Sequence, residues 1–476
     1  LIDMRLQFIL SIAALCAAAS LTAYAAGPTD EAKQLMLQGN YTQALELLQG
    51  QHAKNKANVQ INLLMAECLE QTGHLAQARK HLDLAQQKGS KEALMEMARM
   101  CYMTYDFGEA KAMMSKYETA VRNKPLTEEQ SKLRARINMA DEMASHVEKI
   151  VVVDSIVVDK DAFFKAYHIS RQAGTLASTD TMPEDMRPAT LTEVYMPESG
   201  ESMMWSQVDT DGTMRLMKSD KLLDGSWDKP VQLDDMLNDG GDACYPFVTS
   251  DGQSLYYASN GTGSIGGYDI FVTRKDPDTG NYLKPQNVGM PYNSPYDDYL
   301  LVIDDNTGVG WWATDRNHIP GKVTIYVYLP NSVRENYNPD STDIASMAAI
   351  RNIRSTWAEG QDYADVLARI KSIDRNAGGT AATFSFSVAK GVTYTSLSDA
   401  KTTEGRSYLE QCLAEQGKQR EAMAKLKALR ARYASADEAG RKSMSTVMVQ
   451  LEATVRKSYE TIEYYANQAR KAEQRR

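Results

Sequence analysis

Between residues 203 and 314 the chain repeats itself, and the spacing of the repeat excludes most architectures. Met203-Met204-Trp205-Ser206 returns 53 residues later as Tyr256-Tyr257-Ala258-Ser259, and a further 55 on as Trp311-Trp312-Ala313-Thr314. Gly225-Ser226-Trp227-Asp228-Lys229-Pro230 returns after 55 residues as Gly280-Asn281-Tyr282-Leu283-Lys284-Pro285. The acidic stretch from Asn238 to Asp242 returns loosely between Asn293 and Asp298. A period of about 54 means that one supersecondary unit is copied along the chain. The clearest copy is Cys244 to Arg274. Its first strand, Tyr245 to Thr249, is β-branched and aromatic, and Asp251-Gly252 is a hairpin turn pair. Leu255 to Ala258 is a second strand. A Gly-rich loop follows, and Tyr268 to Thr273 alternates again.

Four marks of this copy occur together: Pro246, Ser250 before Asp251-Gly252, the aromatic pair Tyr256-Tyr257, and the ending Gly266-Gly267-Tyr268-Asp269-Ile270-Phe271-Val272. This set resembles the WD-like propeller repeat of the TolB type. The resemblance implies that each copy is a blade of four strands. Three copies are clear in residues 190–330, whereas propellers have four to eight blades. Either other strands complete the ring, or the ring is incomplete and open. Ile150 to Val158 and Phe384 to Thr395 are the remaining strand-rich stretches. A propeller by itself names no ligand.

A second, shorter period precedes the first. Gly39-Asn40-Tyr41-Thr42-Gln43-Ala44 recurs 34 residues on as Gly73-His74-Leu75-Ala76-Gln77-Ala78, and 32 further as the degenerate Tyr105-Asp106-Phe107-Gly108-Glu109-Ala110. Ala32, Ala66 and Ala98 stand upstream of the three turns. Alanine at such sites lets antiparallel helices approach closely, and the glycine ends the first helix of each pair. This pattern resembles the tetratricopeptide repeat, for which three copies are about the minimum stable stack. Leu35, Leu63 and Met95 read as core. Leu126 to Glu148 reads as a capping helix. The resemblance implies a groove that takes a peptide or a partner helix; no carboxylate-clamp pattern is present, so no groove residue is carried over.

The expected fold is therefore multidomain α+β: an N-terminal tetratricopeptide-like α-solenoid, central propeller-like blades, and a long C-terminal helical hairpin. The boundaries read as 1–25 for a signal peptide, 26–148 for the helical repeats, 149–189 for a hairpin and linker, and 190–330 for the blades. Residues 331–402 read as a linker with helices and a small hairpin, and 403–476 as a helical hairpin or coiled coil. Within these, Ile150 to Asp159 reads as a hairpin about an Asp154-Ser155 turn, and Leu176 to Pro188 as a loop. Asp343 to Trp357 and Tyr363 to Ile373 read as helices. Met448, Leu451, Val455, Tyr459, Ile462 and Ala466 form an amphipathic stripe, which suits an internal core or a seam between copies.

The signal-peptide reading rests on Met4-Arg5, the apolar run Phe8 to Ala19, and Ala23-Tyr24-Ala25 before a cut at Ala26. Cys16 follows Leu15 in the middle of that run, a poor setting for lipidation. No later run reaches the ~18 apolar residues of a membrane span. The net charge of −9 disfavours nucleic acid as a partner. Cys68, Cys101, Cys244 and Cys412 are far apart in sequence and read as buried thiols, not as a disulfide framework or zinc site.

No catalytic set assembles from the sequence. The histidines (His52, His74, His81, His146, His168, His318) form no metal motif, and there is no nucleophile elbow or P-loop. Gly261, Gly263 and Gly266 fit a dinucleotide pattern but precede a strand, not a helix. Asp209-Thr210-Asp211-Gly212 and Asp276 to Asn281 look like pieces of calcium loops, yet neither has the glutamate at the twelfth position. No cofactor or metal is expected, and Asp234, Asp235, Asp297, Asp298, Asp304 and Asp305 read as turn and cap residues or as a cation site at one rim. Trp205, Trp227, Trp311 and Trp312 are candidates for stacking on a glycan at the blade rim, with Asp297 and Asp298 beside them.

The order of parts over residues 29–330 resembles exported Bacteroidetes-type proteins that join tetratricopeptide repeats to TolB-like propeller repeats. The expectation is a non-catalytic periplasmic or outer-membrane-associated scaffold that binds envelope proteins through its helical repeats, without nucleic acid and without a membrane span in the mature chain. Self-association through the C-terminal helices fits the same sequence. The alternative is a glycan-binding protein or enzyme accessory that uses the blade rim.

Overall fold

The computed structural model describes residues 28–474, apart from 123, 191, 223, 239, 277–280, 332, 341, 372–385, 390–391, 395–396 and 436–437. The signal-peptide reading lies outside the described residues. The chain divides between Glu142 and Met143 into two compact units.

The first unit is a stack of antiparallel helix pairs: α1 (Pro28–Leu37), α2 (Tyr41–Lys54), α3 (Val59–Gln71), α4 (Leu75–Gln87), α5 (Lys91–Met103) and α6 (Phe107–Val121). Helix α7 (Glu128–Ala144) follows. Ala32, Ala66 and Ala98 are buried, and so are Ala44, Ala78 and Ala110 on the second helices, so small residues sit where the pairs meet. Asn58, Ser90 and Asp106 cap α3, α5 and α6 by accepting the amides of Ile61, Ala93 and Glu109. Gly39 and Gly73 take left-handed φ of 78° and 80° at the first two turns, and Tyr105 takes the same role at φ 65° in the third. Tyr105 has strained backbone, but its ring is buried and lies 5.8 Å from Phe107. A Cβ at Gly73 would touch nothing within 4 Å, so only its φ opposes a side chain. Gly73→Ala is expected to cost the helical unit ~1 kcal/mol in urea denaturation, without changing the slope.

The second unit begins with three antiparallel sheets. The first has the order β2 (Thr175–Ser178), β3 (Glu193–Met196), β4 (Ser202–Val208), β5 (Met214–Asp220), β6 (Val231–Gln232). The second is β7 (Ala243–Val248), β8 (Ser254–Ser259), β9 (Asp269–Arg274), β10 (Gln286–Asn287). The third is β11 (Asp298–Asp304), β12 (Val309–Thr314), β13 (Lys322–Leu329), completed by β1 (Val151–Asp159). The sequence repeat is a repeat in space. Lys221 bridges to Trp227 and lies 5.7 Å over its ring, and Lys275 stands in the same way to Tyr282, also at 5.7 Å. Strands β7 and β11 are bulged at matching places, with Tyr245 at φ 57° and Leu300 at φ 40°.

Here the structure corrects four readings. Residues 151–159 are one strand, not a hairpin: Val151 pairs with Leu329 and Asp159 with Lys322. A bulge at Val153 breaks the alternation, and Asp154-Ser155 lies within the ladder. The partner strand is far along the chain, so no local signal could reveal it. Secondly, Leu176 to Pro188 is not all loop, because Thr175–Ser178 is a sheet edge. Thirdly, Asp343 to Trp357 is not one helix. It forms α8 (Ile344–Ala349), a left-handed residue at Ile350, and a 3-10 turn at Ile353–Thr356. That turn serves the β1 bulge: the Val152 amide donates to Thr356 Oγ1 at 3.0 Å, and the Trp357 indole donates to the Val152 carbonyl at 2.6 Å. Lastly, Val333 to Pro339, within the stretch read as a linker, is tied to the chain just before β1. The Lys149 amide donates to the Glu335 carbonyl, and that of Tyr337 to the Val147 carbonyl.

A hydrophobic core joins the three sheets, with Leu216, Phe247, Leu255, Val302, Trp311 and Ile325 among its members. The segment from Phe163 to Ala173 fills the space beside β7 and β11. Phe163 packs on Tyr245 and Tyr299, the Tyr167 hydroxyl donates to the Leu300 carbonyl, and Ser170 binds the Asp304 carboxylate through both its amide and hydroxyl. Of the two extra strand-rich stretches, the first joins the third sheet. The second forms the pair β14 (Phe386–Ala389) and β15 (Val392–Tyr394) beside the C-terminal helices. Among the described residues, then, neither builds a fourth sheet of the repeated type.

Helix α9 (Ala364–Lys371) packs on the core through Ile370, and α10 (Thr403–Ser435) with α11 (Glu438–Gln474) form a long antiparallel hairpin. Glu473 ties its open end by accepting the amides of Lys401 and Thr402 and the hydroxyls of Thr402 and Tyr394. Burial would raise this carboxyl, but those hydrogen bonds outweigh it and hold it at about 2. No described helix is long and apolar enough to cross a membrane.

Candidate functional site

The residues singled out from sequence fall into two groups. Trp205, Trp311 and Trp312 are 0%, 1% and 0% exposed, so their faces pack against protein and are closed to a sugar. The rim-stacking reading fails for these three because they lie on the β4 and β12 strands inside the core. Trp227 is half-buried beneath Lys221.

Asp297 and Asp298 are structural links. Asp297 precedes β11 and reaches back to the second sheet, where Oδ1 accepts the Tyr268 amide at 3.0 Å; Oδ2 accepts the Tyr299 hydroxyl at 2.6 Å. Asp242 repeats the device 55 residues earlier, with Oδ1 accepting the Met214 amide at 2.8 Å. Gly266 of the dinucleotide-like pattern and its neighbour Gly267 serve the same seam. A Cβ on Gly266 would lie 1.8 Å from the Tyr296 carbonyl, and one on Gly267 at 1.8 Å from Asp297. Asp298 is fully buried and paired with the equally buried Arg316 at 2.8 Å. Other acidic residues hold turns: Asp304 binds the amides of Asn306 and Thr307, Asp211 that of Thr213, Asp234 that of Met236. Among the described residues, no group of three His, Cys, Asp or Glu side chains is placed to hold a metal ion. The four later cysteines are buried and free, and burial pushes the Cys68 thiol up to about 12.

Two buried carboxyls escaped the sequence reading. Glu193, at the start of β3, is 0% exposed, and among the described residues neither of its oxygens has a hydrogen-bond partner. Burial pushes it up to about 8 against a weaker pull from the backbone of Glu193 and Tyr245. Asp269 accepts the amides of Ile265 and Gly266 and the Asn287 side chain. Burial, then the Asp298 charge, push it up to about 7. Their sequence context is that of a strand with one wet face, which gave no sign that both faces would be covered.

On the helical unit a charged cluster spans the first helices of adjacent pairs. Arg99 on α5 clasps Glu70 on α3 with two hydrogen bonds, 2.8 and 2.6 Å, and binds Glu96 at 2.8 Å. Glu67 lies one turn before Glu70 on α3 and is exposed. Crowding by protein raises its carboxyl, with the Glu96 and Glu70 charges adding and Arg99 opposing. Leu63 and Met95, one turn before Glu67 and Arg99 respectively, are half-buried, and Leu37 at the end of α1 is 50% exposed. The helical unit thus presents a face with apolar and charged groups side by side.

A family model described as Tetratricopeptide repeat matches residues 35–88, from the end of α1 through α4. Helical repeats of this kind generally mediate protein–protein interaction. Neither the curated proteins nor the solved structures contain a match to the chain.

Proposed function

We propose that the chain is a non-catalytic scaffold of the cell envelope, whose helical repeats hold a protein partner. The observation that carries this reading is the match of residues 35–88 to a repeat that binds proteins, together with the apolar and charged face of α3 and α5. The three sheets act in this reading as a propeller-type body of the TolB-like kind, braced by Asp242, Asp297 and the 163–173 segment. Export follows from the Arg5 start, the apolar run and Ala23-Tyr24-Ala25. The buried aspartates Asp269, Asp298 and Asp304 are engaged in bracing, which suits a body that does no chemistry. The C-terminal hairpin supplies a surface for self-association.

Photo-crosslinking in the native cell tests the proposal. A crosslinkable residue at Leu63, on α3, should trap a discrete protein adduct, whereas one at Val231, 55% exposed on β6, should not. Adducts at Val231 alone would assign binding to the sheets and refute the scaffold reading of the helices.

A further inference from the structure

The charges on the repeat face define what kind of partner segment it accepts. Among the described residues Glu67 has no hydrogen-bond or ion-pair partner, although Glu70 one turn on and Glu96 on the neighbouring helix are both held by Arg99. The guanidinium facing Glu67 is therefore already committed. The three glutamates and one arginine leave two negative charges on the face. Glu67 sits four residues after Leu63, on the same side of α3, and Met95 stands four before Arg99 on α5. A carboxylate with like charges at its sides and apolar neighbours gains from a cation that also covers those neighbours, and repels an anion.

We infer that the face of α3 and α5 around Glu67 receives a basic segment of the partner protein, with a lysine or arginine on Glu67 and apolar side chains on Leu63 and Met95. The inference rests on the reading of the helical repeats as the partner site, and adds the sign of the partner's charge. The net charge of −9 alone would attract any basic peptide weakly, so the decisive comparison is between one charge change at this face and the same change elsewhere.

The test uses the full chain and three synthetic peptides of ~12 residues, built from Leu and Ala with Lys, with Glu or with Gln, titrated by fluorescence anisotropy. The Lys peptide should bind, and the Glu peptide should not. Glu67→Lys should weaken the Lys peptide about tenfold or more, and Glu67→Gln should weaken it by a smaller factor. Glu359→Lys, an equal charge change at an exposed site of the second unit, should alter it less than about twofold. Equal loss in Glu67→Lys and Glu359→Lys, no loss in either, or binding of the Glu peptide as tight as that of the Lys peptide would overturn the inference. Absence of binding by all three peptides would also overturn it. The Leu63 crosslink judges the underlying reading separately: an adduct at Leu63 with a failed peptide test leaves the partner site standing and removes only its preference for basic segments. A melt of each variant confirms that it folds.

Discussion

Replacing Arg316 by methionine is expected to destabilise the three-sheet region by about 3–5 kcal/mol. The guanidinium is buried, and it ties several elements together. Nη2 donates to Asp298 Oδ1 at 2.8 Å and to the Tyr292 carbonyl at 2.7 Å; Nη1 donates to the Pro291 carbonyl at 2.9 Å and to the Ala348 carbonyl at 3.3 Å. Nε donates to Thr314 Oγ1 at 3.1 Å. Methionine fills part of the volume but leaves Asp298 with an uncompensated charge and strips the carbonyls of their donor. The cost is thus one of unmet polar groups, not of lost attraction. Urea denaturation read by tryptophan emission measures it, since Trp205, Trp311 and Trp312 all lie in this region. Adding Asp298→Asn to Arg316→Met should recover part of the loss, because the orphaned charge is then gone. An Arg316→Met variant within about 1 kcal/mol of the parent would show that this pair does not brace the sheets.

The same region should lose stability as pH rises from about 5 to 9. The Glu193 carboxyl stands at about 8 in the fold, against an ordinary value of 4.5. Between those values the folded chain keeps a proton that the unfolded chain has released, so stability falls as pH rises. The contribution is whole below the ordinary value and lost as pH passes the folded one. Asp269, raised to about 7, and Asp298, raised to about 6 by burial against the pull of Arg316, act in the same direction. The loss assigned to Glu193 is on the order of several kcal/mol. Denaturation curves at a series of pH values, for the parent chain and Glu193→Gln, isolate it. The glutamine variant should show a flatter profile and close most of the gap to the parent, or exceed it, at the alkaline end. Parallel profiles for the two chains would mean that Glu193 is ionised throughout.

Local signals carried much of this architecture. The 34-residue spacing placed the helix turns at Gly39 and Gly73, and the alanines it marked are buried contacts. The spacing near 54 located the sheets and matched Trp227 with Tyr282, though not the lysines that lie over them. Relationships over long stretches of chain were not legible. Strand β1 reads in sequence as a hairpin, and it needed β13 to be recognised as one continuous strand; the 3-10 turn at Ile353–Thr356 made sense only against the β1 bulge. The aromatic candidates illustrate the same limit: Trp311 and Trp312 are adjacent on one strand, and both are buried because both faces of β12 are covered. Glu193, flanked by Thr192 and Val194, reads as an ordinary strand residue, and only the packing of the sheets reveals its burial. On the helices, Glu67 and Arg99 are 32 residues apart, and their shared face emerges once the repeats are stacked.

In the function proposed above, partners are met by the helical repeats and the sheets are a self-contained body. Hydrogen exchange of the full chain, alone and bound to the protein trapped at Leu63, tests this most directly. Added protection should appear in Val59–Gln71 and Lys91–Met103 and leave β7–β9 unchanged. Protection confined to residues 190–330, with these two helices exchanging as in the free chain, would contradict it.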